Sequence, residues 1–243
     1  DYVNEPESKN ICYFYGSKKE IYKKKYNYTY LFLEHLEYDL FEYIFKFYDF
    51  KHLFVNYEQH KNLLVIVANT LKYIHKKGFV YNDLKLENIM ITEENEIKLI
   101  DFNCLVEVKN ENKNKKDENC NLSTTGFIGT IDYLAPELFK VCEDENVIYY
   151  NDNNISFKND YWTFGLFLYE VLTKQLFPYI HTRNRIKTVR DIKSNLLDDE
   201  KYAYEFFKKL NFKFEIPKEE FELISQVFIN CVKTCPDKRK LLL

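Results

Sequence analysis

Asp83-Leu84-Lys85-Leu86-Glu87-Asn88 places a carboxylate, an ammonium and a carboxamide in one short loop, and Asp101-Phe102-Asn103 adds a second carboxylate after the next apolar run. A carboxylate within reach of a hydroxyl can take its proton. Carboxamide and carboxylate oxygens are hard donors that suit Mg²⁺, and a lysine between them supplies a compact point charge. Asx residues also collect in turns, where their side chains bond to nearby backbone. Two observations favour chemistry over a turn: Lys85 lies between Asp83 and Asn88, and Asp101 closes the hairpin that follows.

Further motifs succeed one another downstream: Gly129-Thr130-Ile131-Asp132-Tyr133-Leu134-Ala135-Pro136-Glu137, Asp160-Tyr161-Trp162-Thr163-Phe164-Gly165 and Pro236-Asp237-Lys238-Arg239. In this order they resemble the eukaryotic-type protein kinase family, from about Ile11 to Arg239. The resemblance implies an α+β fold, with a mainly α-helical C-terminal lobe, short β-hairpins and an N-terminal lobe that is largely absent. Residues 1–36 would be the end of that N-terminal lobe, with its last strands and hinge. Residues 37–243 would be the C-terminal lobe, with an activation segment over 101–137.

The resemblance also assigns roles. Asp83 would orient and deprotonate a substrate hydroxyl, and Lys85 would sit beside the transferring phosphate. Asn88 and Asp101 would hold Mg²⁺ against ATP, whose adenine would meet the backbone of Glu34 and Leu36, with Leu33 as gate and Met90 as floor. Glu137 and Arg239 would form a buried ion pair, and Asp160 would bond to the backbone of the catalytic loop. Lys85 with Gly129-Thr130 favours serine/threonine over tyrosine substrates, and so a protein partner. Glu87 and Glu170 are read as facing the peptide groove, where they would favour Arg or Lys before the target residue.

The chain departs from the family pattern in several places. Tyr81-Asn82 stands where His-Arg precedes the catalytic Asp, so no guanidinium is present to pair with a phosphate at Ser123, Thr124 or Thr125. Asn103 replaces the Gly after Asp-Phe and is expected to take the positive φ. No Gly-x-Gly occurs, and Lys9 is too close to the first strand to be the phosphate-pairing lysine. The chain alone is therefore expected to be inactive, and a pseudokinase scaffold stands as the alternative function.

Strands are expected over Ile11–Tyr15 and Tyr30–Leu33, joined by a Lys/Tyr-rich connection, with a helix beginning near Asp39. Apolar residues recur at helical spacing from Tyr57 to Lys77, ahead of Gly78. Short strands follow at Phe79-Val80, Ile89–Ile91 and Ile97–Ile100. Polar Glu107–Asn121 reads as a mobile loop. Helices are expected over Asp160–Leu172, with Asp160 as N-cap, and over Phe221–Val232.

Composition fits one large or two small globular domains: 243 residues, 46% hydrophobic, with 21 Tyr and 21 Phe. A net charge of -3 makes no case for nucleic acid. Six scattered cysteines suggest reduced thiols, with Cys231 and Cys235 expected on one helical face. No apolar run is long enough to span a bilayer, and Asp1–Asn4 does not open a signal peptide, so a cytoplasmic, intracellular chain is expected. Without an initiator Met, targeting sequence outside it stays open.

Overall fold

The computed structural model describes residues 6–22, 26–45, 54–108, 128–142, 147–180, 185–192, 194 and 196–243. Strands β1 (Phe14–Tyr22) and β2 (Tyr26–Leu33) form an antiparallel hairpin. It is longer than expected, because the residues read as connection carry the ladder themselves. Aromatic and β-branched residues on β2 face Lys19 and Glu20 through the pairs Lys19↔Thr29 and Glu20↔Tyr28, which suit a pleated surface. Ile11 lies outside β1 and makes an isolated parallel bridge to Leu99.

Residues 34–37 lead to β3 (Tyr38–Asp39) and helix α1 (Leu40–Phe45). The Asp39 carboxylate accepts the Glu42 N–H at 2.7 Å, an N-terminal cap that starts the helix where expected. Helix α2 (Tyr57–Lys76) buries Leu63, Leu64, Val67, Ala68, Leu71 and Ile74 along one stripe. Asn56 and Gln59 cap its start reciprocally, and Gly78 turns the chain out of it at φ 86°.

Strands β4 (Phe79–Val80), β5 (Ile89–Ile91), β6 (Ile97–Leu99) and β7 (Val106–Glu107) frame the two Asp-bearing loops. The sheet order is β3-β5-β6, all antiparallel, while β4 pairs separately with β7. Glu107 thus ends a strand, and most of the predicted polar loop after it lies outside the described residues. So do Ser123, Thr124 and Thr125.

A hairpin of β8 (Phe139–Cys142) and β9 (Val147–Tyr150) precedes α3 (Phe157–Thr173). Apolar residues on every face of α3 are buried, so this helix is the centre of the body, and it packs against both α2 and α6. Its N-cap is Ser156, in a capping box with Asn159, and not Asp160 as the sequence suggested. Asp160 is buried within the first turn, where its carboxylate serves another loop.

Helices α4 (Arg185–Ile192), α5 (Glu200–Lys208) and α6 (Lys218–Cys231) complete the chain. Cys235 lies past the end of α6, so it does not share a helical face with Cys231; both thiols are free, as are Cys12 and Cys104. No helix among the described residues is long and apolar enough to cross a membrane.

Close approach of α3 and α6 depends on Gly165. A Cβ there would lie 2.7 Å from Val232 Cγ1 and 2.9 Å from Cys231 Cβ. Gly165→Ala is expected to destabilise the protein by about 1–2 kcal/mol, because overpacking outweighs the gain in helix propensity. Urea unfolding of both proteins checks this; a variant as stable as wild type would mean that α6 shifts freely.

Candidate active site

The loop from Tyr81 to Asn88 is shaped from below by Asp160. Its fully buried carboxylate accepts the Tyr81 and Asn82 N–H groups, each at 2.8 Å, and lies 2.7 Å from His75 Nε2 on α2. Meeting those demands bends Asn82 into the left-handed region at φ 63°. Beside it, the Tyr81 hydroxyl donates to the Ile100 carbonyl and its ring packs edge-on against Phe102. Burial, and then the carboxylates of Asp83, Asp101 and Asp160, push the Tyr81 phenol well above its ordinary pKa, which keeps it a donor.

Asp83 emerges from this loop almost completely buried. One carboxylate oxygen accepts from the Thr130 N–H at 2.9 Å and from its hydroxyl at 2.7 Å. The other accepts from Asn88 Nδ2 at 2.8 Å and lies 3.2 Å from Lys85 Nζ. Lys85 also donates to the Thr130 hydroxyl at 2.7 Å, so four side chains form one closed network. Asn88 commits its amide N–H groups to Asp83, leaving its carbonyl oxygen as an acceptor.

Asp101 is exposed and stands at φ 55°, while Asn103 does not take a positive φ. This corrects the expectation for Asn103: in these two loops the left-handed residues are Asp101 and Asn82, both of types whose short polar side chains tolerate that region. Asp101 Oδ1 accepts the Asn103 N–H at 3.3 Å. With the Asn88 carbonyl, it offers hard oxygens of the kind Mg²⁺ takes, so the donor chemistry fits that ion.

A cavity of about 1230 Å³ opens beside Asp101. Leu33, Glu34, Leu36 and Met90 all line it, so the structure brings the four residues to one space. The lining is largely apolar, as suits a flat heteroaromatic ring. His35 is exposed.

Two further expectations meet different outcomes. Arg239 is fully buried and holds Glu137 through two parallel bonds of 2.7 Å, with its guanidinium over the Trp162 ring. Glu170, expected to face a peptide groove with Glu87, is instead fully buried, with the Tyr133 hydroxyl 3.0 and 3.2 Å from its two oxygens. Glu87 is exposed. Thr130 was not foreseen as a partner of Asp83. Its signal was the Gly129-Thr130 pair, where Gly129 at φ 93° leaves no room for a Cβ, which would lie 2.4 Å from the Asn82 carbonyl oxygen.

The chain is also similar to known proteins. A family model described as the protein kinase domain matches residues 1–240. The protein kinase C delta type of Rattus norvegicus is 35% identical over 106 residues, 43% of this chain and 13% of that protein. Protein kinase C-like 1 of Saccharomyces cerevisiae is 36% identical over 110 residues, 45% of this chain and 8% of that protein. Ribosomal protein S6 kinase alpha-4 of Homo sapiens is 33% identical over 107 residues, 44% of this chain and 12% of that protein. The matched stretch is thus a small part of each relative.

Burial raises the pKa of Glu170 to about 8, against the smaller lowering effect of its Tyr133 bond. An acid whose folded pKa lies above its unfolded value stabilises the fold fully below the unfolded value, about 4.5, and that contribution is lost as pH rises through about 8. Glu170→Gln should therefore gain stability relative to wild type between pH 5 and pH 8.5, by on the order of a few kcal/mol. Urea unfolding at both pH values measures the gap. A gap independent of pH would mean that Glu170 titrates normally.

Proposed function

Since the chain belongs to the protein kinase family, we propose that the protein containing it is a serine/threonine kinase that transfers the γ-phosphate of ATP to a protein hydroxyl. The observation that carries this reading is the network around Asp83: a buried carboxylate held in one orientation, with Lys85 beside it and Asn88 on the same oxygen. Asp83 would orient the incoming hydroxyl and take its proton, and Lys85 would neutralise charge on the phosphate being transferred. Asn88 and Asp101 would hold Mg²⁺, which supplies charge neutralisation across the phosphates when bound. The backbone of Glu34 and Leu36 would meet the adenine edge, between Leu33 and the floor at Met90. Similarity to relatives named as serine/threonine-protein kinases, one from Schizosaccharomyces pombe and one from Saccharomyces cerevisiae, supports the choice of substrate hydroxyl.

Substrate choice follows the revised geometry. With Glu170 sealed behind Tyr133, Glu87 is the one of the two that offers an exposed carboxylate to a basic residue before the target. Glu87→Ala should reduce a preference for Arg at that position by about twofold to fivefold, the range for one solvent-exposed pair. A positional peptide library reads it, and an unchanged preference would remove Glu87 from the reading.

A second reading is a pseudokinase scaffold, which Asn82 in place of Arg and Asn103 in place of Gly favour. Turnover decides between them. Asp83→Asn in the full-length protein should keep the fold and lower kcat by roughly 10²–10⁴-fold, the range for a positioned general base. Wild-type-like turnover in the purified variant would refute the role of Asp83, and a wild type with no transfer at all would favour the scaffold.

A further inference from the structure

Lys98 lies on β6, away from the Asp83 network, and is nevertheless buried, at 8% exposure. Burying an ammonium is costly unless it is paired and hydrogen-bonded. Here it donates to the Lys9 carbonyl at 2.7 Å and lies 3.6 Å from a Glu34 carboxylate oxygen and 3.5 Å from Glu96. The other Glu34 oxygen accepts the Tyr13 N–H at 3.0 Å, and the Glu34 N–H donates to the Tyr13 carbonyl at 2.9 Å. Glu34 is thus tied by side chain and backbone to the entry of the β1–β2 hairpin, and by Lys98 to the body.

The neighbours of Lys98 on the strand do related work. Ile97 offers its carbonyl to Asn10 Nδ2 at 2.9 Å, and Leu99 offers its own to the Cys12 N–H at 2.9 Å. Three consecutive residues of β6 therefore each hold part of residues 9–12 or Glu34. The cavity draws Phe14, Leu31 and Leu33 from the hairpin and Met90 and Ile100 from the body, so its two walls are set by how the hairpin sits on β6. Its residue Glu34 is among those proposed to meet adenine.

We infer that Lys98 is a positioning residue for nucleotide binding: its ion pair with Glu34 fixes the hairpin and the connector 34–37 on β6 and so sets the spacing of the cavity walls. This rests on the reading of the cavity as the nucleotide site. Without the ammonium, the hairpin samples other angles, and affinity falls by the fraction of molecules still in the binding geometry.

The test uses full-length protein with Lys98→Met, the conservative Lys98→Arg, and Glu34→Gln as an independent break of the same pair. Lys61→Met is the control, since it cuts the 2.5 Å Lys61–Glu220 pair far from the cavity. Two readouts are hydrogen exchange at the Cys12, Tyr13 and Glu34 amides without nucleotide, and the Kd for ADP with Mg²⁺. Lys98→Met and Glu34→Gln should speed exchange at those amides and weaken ADP binding roughly tenfold, while Lys98→Arg stays within about threefold of wild type and Lys61→Met changes neither. Unchanged exchange at those amides, or acceleration spread equally through α2 and α3, would overturn the inference. Loss of ADP binding in the wild type would overturn the nucleotide reading instead, and the exchange data would still decide whether Lys98 holds the connector.

Discussion

The active-site loop depends on one buried carboxylate. Asp160 sits fully buried in the first turn of the central helix, so its oxygens must find donors within the protein. They find them in the N–H groups of Tyr81 and Asn82 and in His75. Those three bonds join α3, the end of α2 and the loop from Tyr81 to Asn88 at one point. The loop pays for them in backbone strain at Asn82, and the resulting bend delivers Asp83 toward Thr130 and Lys85. Loops are ordinarily the mobile part of a fold; this one is anchored to its most buried helix.

The Arg239–Glu137 pair applies the same logic at a second place. A fully buried guanidinium that donates to Glu137, to the carbonyls of Lys158, Lys233 and Thr234, and lies over Trp162 has its donors satisfied. The chain just after Pro136 is thereby fixed to the body, and Asn159, the residue before Asp160, reinforces it with a bond to the same Glu137 oxygen. The two anchors thus share adjacent positions on α3. Moving that helix would disturb the Tyr81–Asn88 loop and the Glu137 segment together.

Much of this is legible in the sequence, because the residues that hold the site belong to motifs with fixed internal spacing. Asp83, Asn88, Asp101, Glu137 and Arg239 are picked out by the resemblance those motifs carry to the protein kinase family, whereas α2 stands out from its own apolar period, which is long and ends at Gly78. What escapes is set by tertiary context. The β1–β2 ladder is hidden because Lys18, Lys19 and Glu20 read as loop, although a two-sided exposed hairpin places no penalty on charge. The burial of Glu170 escapes because it depends on Tyr133, 37 residues earlier in the chain, closing over it together with Phe177 just past the end of α3. The α3 cap lies at Ser156 because two plausible capping residues stand close together, and Asp160 has a stronger claim on its carboxylate elsewhere.

Asn82 shows how a departure from a family pattern can be accommodated by the fold. A guanidinium at this position would be a charge awaiting a partner, whereas the Asn82 side chain donates to the Cys104 carbonyl at 3.1 Å, just past Asp101. Its backbone carbonyl meanwhile packs against Gly129, and its neighbour Asp83 binds Thr130. Both described ends of the segment that begins at Asp101 are therefore fastened to the consecutive residues Asn82 and Asp83, through a neutral amide at one and a paired carboxylate at the other. Asn is also better suited than Arg to φ 63°, so the substitution lowers the strain that Asp160 imposes. Among the described residues, the Asp83 carboxylate is thus held by Thr130, Asn88 and Lys85, and Asn82 adds no charge beside it.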